Sequence, residues 1–274
     1  VQRACTEHDR TRILAYISKE PEVNLYFSGD IEAYGVSEPV TMAAFGGLGD
    51  RWGAIALALR DNYVVYSQDG MFDPDEVARW ISSAGRRPRH INARLDIARR
   101  LHPLFGEYVL EECRLARCVA VKPGAAGSPG KGCTLRKLGE RDYDALFDAL
   151  ETIAGSTHVR RGSRERDEAI ERKVAAAQVG CSTFGIFCGD TLLSTASVSS
   201  ASKLGAMISG VATRPEMRRR GLATAVVSAT CEECFRQGMR FVTLYYTDPT
   251  AARIYGRIGF EDVAGFGMMS PGPF

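Results

Sequence analysis

MRRRGLATAVVSA, residues 217–229, sets three arginines against what reads as the first turn of a helix. A helix N-terminus already carries the positive pole of the macrodipole and several N–H groups without partners. Cations crowded there repel unless a polyanion lies among them. Gly221 can take backbone angles closed to other residues and leaves room for a ligand against the backbone. Ala223 keeps that approach close. Free N–H groups at such a turn converge on phosphate, and arginines add charge-assisted hydrogen bonds. Charge alone leaves two other readings open. A solvated basic turn needs no ligand, and a nucleic-acid backbone would meet the same side chains. Neither GxxxxGK[ST] nor GxGxxG occurs, so the stretch is not a P-loop or a dinucleotide fingerprint.

A second unit follows, YYTDPTAARIYGRIGF at 245–260. Asp248 suits an N-cap and Pro249 the first helical position. Ala251 and Ala252 precede Tyr255 by about one turn. Such a small-residue patch beside a tyrosine would let a slender chain pass, although half-buried packing explains Tyr255 equally well. Gly259 ends the helix.

Outward from these units the chain divides. KPGAAGSPGKG, Lys122 to Gly132, is rich in glycine and proline and reads as a linker. The expected domains are 1–122 and 133–274, joined by 123–132. Before the linker come a helical stretch at 13–35 that Pro21 interrupts, and strands TMAAFGG, WGAIALALR and NYVVYSQ. A helix follows in DPDEVARWISSAG, capped by Asp73, and strand-like YVLEECRLARCVAVK closes the half. After the linker the order is β-α-α-β-β-β-α-β-α-β, a mixed α/β domain, with a last strand near Asp262–Met268. SRERDEAIERK mixes charges at helical spacing and reads as a solvated helix face.

With the strand GVATRPEM ahead of it, RRRGLA meets an Arg/Gln-x-x-Gly-x-Gly/Ala signature through Arg218, Gly221 and Ala223. Together with DPTAARIYGRIGF, residues 133–269 resemble the GCN5-related N-acetyltransferase (GNAT) superfamily. The whole chain resembles the bacterial acetyltransferases that carry an additional, degenerate N-terminal domain of the same kind. The resemblance implies an α/β (mixed α+β) fold of tandem acetyltransferase-like domains. The C-terminal domain would have a centrally splayed mixed sheet flanked by helices. It also implies acetyl-CoA as cosubstrate. Arg218, Arg219, Arg220, Gly221, Leu222, Ala223 and Thr224 would surround its pyrophosphate. Val211, Ala212 and Thr213 would run along the pantetheine arm, with Asp248 and Ala252 nearby. Asp248 stands where the family often has asparagine. Tyr255 falls at the position of the usual general acid. No such signature precedes Lys122, so one acyl-CoA site is expected.

The implied reaction is acetyl transfer from a thioester to a primary amine, small molecule or peptide, by direct attack. Tyrosine, with a pKa of about 10, is protonated at neutral pH and so is available as proton donor to a departing thiolate. No base is identifiable: His8, His90, His102 and His158 are remote, and AMISGVATR carries no carboxylate. A non-catalytic CoA-sensing protein on the same scaffold is the competing reading. Net charge is +2, too small to call for nucleic acid or an anionic membrane. The eight cysteines scatter through apolar segments, as in a reducing cytoplasm, and Cys231–Cys234 is a CxxC spacing without the second pair zinc needs. No metal is expected. No signal segment or membrane-length apolar run is seen, so a cytoplasmic protein is expected, and the tandem layout leaves room for a homodimer.

Overall fold

Strands rich in β-branched and aromatic residues, punctuated by Asp, Asn and Gly, build the first part of the chain. The computed structural model describes residues 2–46, 51–85, 87–154 and 161–272. His158, and Gly47 at the end of the expected strand TMAAFGG, lie outside them. The chain divides into two compact units. The first comprises 1–116, 245–247 and 262–274, and the second 117–244 and 248–261.

In the first unit the elements run β1 (Arg3–Ala4), α1 (Arg10–Ile17), α2 (Leu25–Tyr34), β2 (Val40–Gly46), β3 (Trp52–Leu59), β4 (Asn62–Tyr66), α3 (Pro74–Ser83), β5 (His90–Arg94), α4 (Leu95–Leu101) and β6 (Tyr108–Cys118). Pro21 lies in the break between α1 and α2. The Asp73 carboxylate caps α3 by accepting the Asp75 N–H at 2.9 Å. β2, β3 and β4 form an antiparallel meander. β5 lies parallel to β4, which requires a crossover, and α3 supplies it. β5 and α4 were not anticipated from the sequence. The strand runs straight from Arg94 into the helix at Leu95, with no turn residue to mark the change. Phe45, Tyr63, Trp80, Ile81, Ile97 and Leu101 fill the core.

The second unit runs β7 (Cys133–Lys137), α5 (Tyr143–Ala154), α6 (Arg164–Gln178), β8 (Thr183–Cys188), β9 (Thr191–Ala201), β10 (Gly205–Thr213), α7 (Leu222–Arg236), β11 (Phe241–Tyr246) and α8 (Pro249–Ile258). The final strand, β12, spans Glu261–Pro271. The order within this sheet is β11-β10-β9-β8-β7, antiparallel except for the parallel β10–β11 pair that α7 connects. The mixed α/β character expected of the chain is what it has.

Two expectations need correction. Residues 262–274, assigned by the sequence to the second domain, belong to the first unit. β12 pairs antiparallel with β5, Phe266 opposite Arg94 and Met269 opposite Ile91, and takes its place between β5 and β6. Gly267 makes this possible, because a Cβ there would run into Ala98 of α4. The charged face of α6 is not all solvated. Arg166 is 1% exposed. Its Nε donates to Asp144 at 2.9 Å and its guanidinium to Asp148 at 2.8 Å, so charge holds α5 and α6 together. Among the described residues no helix is long and apolar enough to cross a membrane.

Candidate functional site

The arginine stretch lies on a turn that departs twice from ordinary backbone. Arg219 has φ +65° and Gly221 has φ +81°. A Cβ added at Gly221 would meet nothing within 4 Å, so the left-handed turn faces open space. Hydrogen bonding of α7 begins where the Ala225 N–H donates to the Gly221 carbonyl at 3.0 Å. The N–H groups of Leu222, Ala223 and Thr224 are therefore the unpaired donors of a helix start. The linker supports this turn from behind. A Cβ at Gly127 would stand 3.0 Å from both the Gly221 carbonyl oxygen and the Ala225 nitrogen.

A cavity of about 840 Å³ opens at this turn, between the end of β10, the start of α7 and one face of α8. That is within the usual range for a small-molecule site. Thr213, Arg218, Arg219, Gly221, Leu222, Ala223, Thr224 and Asp248, all singled out from the sequence, line it. Arg220, Val211, Ala212 and Ala252 do not. Ala251, from the small-residue patch read in the sequence, lines it too; Met217, Thr250, Arg253, Ile254 and Arg257 complete the wall and were not assigned to it from sequence. At 100° per residue, 250, 254 and 257 share a stripe of α8 and 251 borders it, whereas 252 points away. The helical period of Arg253 and Arg257 was the available signal. Among the described residues no carboxylate pairs with Arg218, Arg219, Arg253 or Arg257. Arg218 Nε donates instead to the Thr213 carbonyl at 3.3 Å. Asp248 caps α8, its carboxylate accepting the Thr250 N–H at 2.7 Å.

Ahead of the turn, β10 leaves its parallel neighbour. Pairing runs from Gly205–Phe241 to Ile208–Leu244, whereas β10 continues to Thr213. Its pairing with β9 also breaks between Ser209 and Ala212, where Gly210 takes φ +59°. This bulge re-aims the backbone of Gly210 and Val211. A glycine inside the strand pattern GVATR was its sequence signal.

Tyr255 does not line the cavity; it lies on α8 beyond Ala251, on the side away from the stripe, and packs edge-on against Phe260 at 5.8 Å between ring centres. It is 8% exposed. Burial, then the charge of Asp248, pushes its phenol up to about 12. Cys231 and Cys234 are buried in α7, and burial raises the Cys234 thiol to about 12, so this CxxC packs as core.

Residues 134–263 match the family model described as an acetyltransferase (GNAT) domain. No curated protein matches the sequence. Among solved structures, the chain is similar over its full length to a GCN5-related N-acetyltransferase from Sphaerobacter thermophilus, covering 100% of this chain and 96% of that one at 17% identity and a TM-score of 0.61. A GCN5-related N-acetyltransferase from Kribbella flavida covers 96% of each chain at 17% identity and a TM-score of 0.59. A tandem GNAT protein from the clavulanic acid biosynthesis pathway covers 100% and 99% at 15% identity and a TM-score of 0.60. At these identities the likeness to solved structures speaks for the fold, and the family match speaks for the segment that carries the arginine turn, its cavity and Tyr255. Residues 134–263, a little under half of the chain, carry the acetyltransferase (GNAT) domain that the family model describes.

Proposed function

We propose that the protein transfers an acetyl group from acetyl-CoA to a primary amine by direct attack in a ternary complex, at one site in the second unit. The observation that carries this reading is the cavity wall itself: four arginines without carboxylate partners around an open, left-handed helix start. The donors suit a polyanion of diphosphate type. Backbone N–H groups of residues 219–224 would hold the pyrophosphate, with Arg218 and Arg219 beside it. The bulged backbone of Val211, Ala212 and Thr213, beyond the last β10–β11 pair, would bond the pantetheine arm as an added strand.

Acetyl-CoA supplies an activated thioester. Backbone N–H groups at the bulge would stabilise the charge that develops on the carbonyl oxygen. Tyr255, kept protonated at neutral pH by burial, would serve as the proton donor to the departing sulfur and regain its proton from solvent afterwards. Thiol release from acetyl-CoA, followed against a panel of amino acids, polyamines, aminoglycosides and peptide N-termini, tests the reading. Amine-dependent turnover is the expected outcome. Tight CoA binding with no turnover across the panel would overturn it in favour of a sensing protein.

A further inference from the structure

The site as read from the sequence has no base, and the structure holds a group that fits that role. Lys173, on α6, extends its amine into a pocket of two hydroxyls. Nζ lies 3.1 Å from Ser197 Oγ and 3.4 Å from Thr183 Oγ1, and the two oxygens are 2.9 Å apart. Ser197 and Thr183 are both buried. Among the described residues no carboxylate faces the amine. The titratable group that does is the Cys181 thiol, from the turn between α6 and β8; β8 and β9 offer only the two hydroxyls. Lys173 is half-buried, and in this setting it lacks the anion that normally offsets the desolvation of an ammonium. Burial pulls Lys173 below the ordinary lysine range, and Cys181 opposes that more weakly.

The second half of the observation is where Ser197 sits. It is the β9 residue opposite Ser209, at the edge of the bulge. A Cβ on Gly210 would stand 3.8 Å from Ser197 Oγ, in contact with it. Because residue 210 is glycine, no side chain covers the hydroxyl from that side. Ser197 thus links the amine of Lys173 to the stretch of β10 that has left β11.

We propose that Lys173, acting through Ser197, takes up the proton released when the acceptor amine attacks the thioester. The proposal rests on the acetyltransferase reading above and supplies its missing base. The amine nitrogen forms a bond to the acetyl carbon, and the C–S bond breaks. The nitrogen's proton passes to Ser197 Oγ, whose own proton passes to neutral Lys173 Nζ. The sulfur takes its proton from Tyr255. Lys173 then releases a proton to solvent and Tyr255 regains one, so the net products are the amide and free thiol.

The test uses the full chain and the best amine from the panel, with kcat/KM measured from pH 6 to 10. Wild type should show a limb rising with an apparent pKa below that of free lysine. Lys173→Met should lose that limb and about 10²-fold in kcat, with acetyl-CoA affinity by calorimetry unchanged. Lys173→Arg should fail equally, because a guanidinium keeps its proton. Either variant retaining the wild-type limb would overturn the assignment while leaving the acetyltransferase reading intact. Wild type that acetylates no amine would bring down both. A readout independent of turnover is the NMR titration of lysine side chains enriched in ¹³C at Cε. Lys173 should titrate below the surface lysines, and titration together with them would overturn the proposal.

Discussion

Tyr255 shows how one burial serves two ends. A phenol that ionises near 12 in the fold and near 10 in the unfolded chain favours the neutral form while folded. The unfolded state therefore loses its proton first as pH rises, and stability falls between about pH 10 and 12. A difference of two units corresponds to about 2–3 kcal/mol. Tyr255→Phe should flatten this loss, read as the urea midpoint against pH. The same variant should lower kcat by about 10²-fold or more while acetyl-CoA affinity holds, because the proton donor goes and the packing stays. Unchanged turnover would remove Tyr255 from its assigned role. Gly221 separates backbone from ligand in another way. Nothing would touch a methyl there, so Gly221→Ala should cost only the left-handed strain, about 1–2 kcal/mol in thermal unfolding. Its acetyl-CoA affinity should fall further than that strain explains, since the methyl would stand in the cavity wall. Both residues were legible in sequence because each carries its signal locally, in a cap spacing or a small-residue signature. Lys173, Thr183 and Ser197 were not. They lie on three elements, each reads as an ordinary polar residue, and only tertiary packing brings them together.

At the scale of elements, the slot depends on where β10 and β11 stop pairing. Gly205 and Phe241 are register partners, and the Phe241 ring lies where a Gly205 side chain would be. The aromatic covers the glycine and clamps the paired end, so that the other end can diverge. Gly205→Ala should force the ring aside and cost about 1–3 kcal/mol by denaturant unfolding. Gly205→Ala combined with Phe241→Leu should recover part of that cost, since the smaller side chain makes room. A double variant no better than Gly205→Ala would show that the clash lies elsewhere. Helices with caps and strands with turn residues could be bounded from sequence, as α3, α7 and α8 were. The segment HINARLDIARRL could not, because no residue marks the change from β5 to α4. The buried Arg166 was hidden for a related reason. A charge pattern at helical spacing tells which residues share a face, but not whether another helix carrying Asp144 and Asp148 lies against it.

At the scale of the whole molecule, the chain's last strand belongs to its first unit, and this sets a test that no local change can provide. β12 bonds to β5 through four residue pairs, 266–94 to 269–91, and Met269 is fully buried in the first unit's core beside Ile91 and Ile97. A cut at the linker would therefore not yield two self-sufficient domains. A fragment of residues 117–274 would carry Phe266 and Met269 without the strand and helix that bury them. Burial of side chains of this size is worth about 1.5–3 kcal/mol each, and exposing them beside open strand edges favours association. The fragment should aggregate when alone and become monodisperse when residues 1–116 are added, as followed by light scattering. Hydrogen exchange at Ile91 and Ala93 provides the complementary reading. Removing 262–274 from the full chain should speed exchange at β5 by at least tenfold, while the paired residues of β8 and β9 should keep their protection. If β5 exchange does not change, or the two fragments are stable apart, β12 does not complete the first unit. The sequence marked a strand near Asp262–Met268 but not its unit, because pairing partners leave no local signal; Gly267 is the position that lets α4 lie directly on that strand.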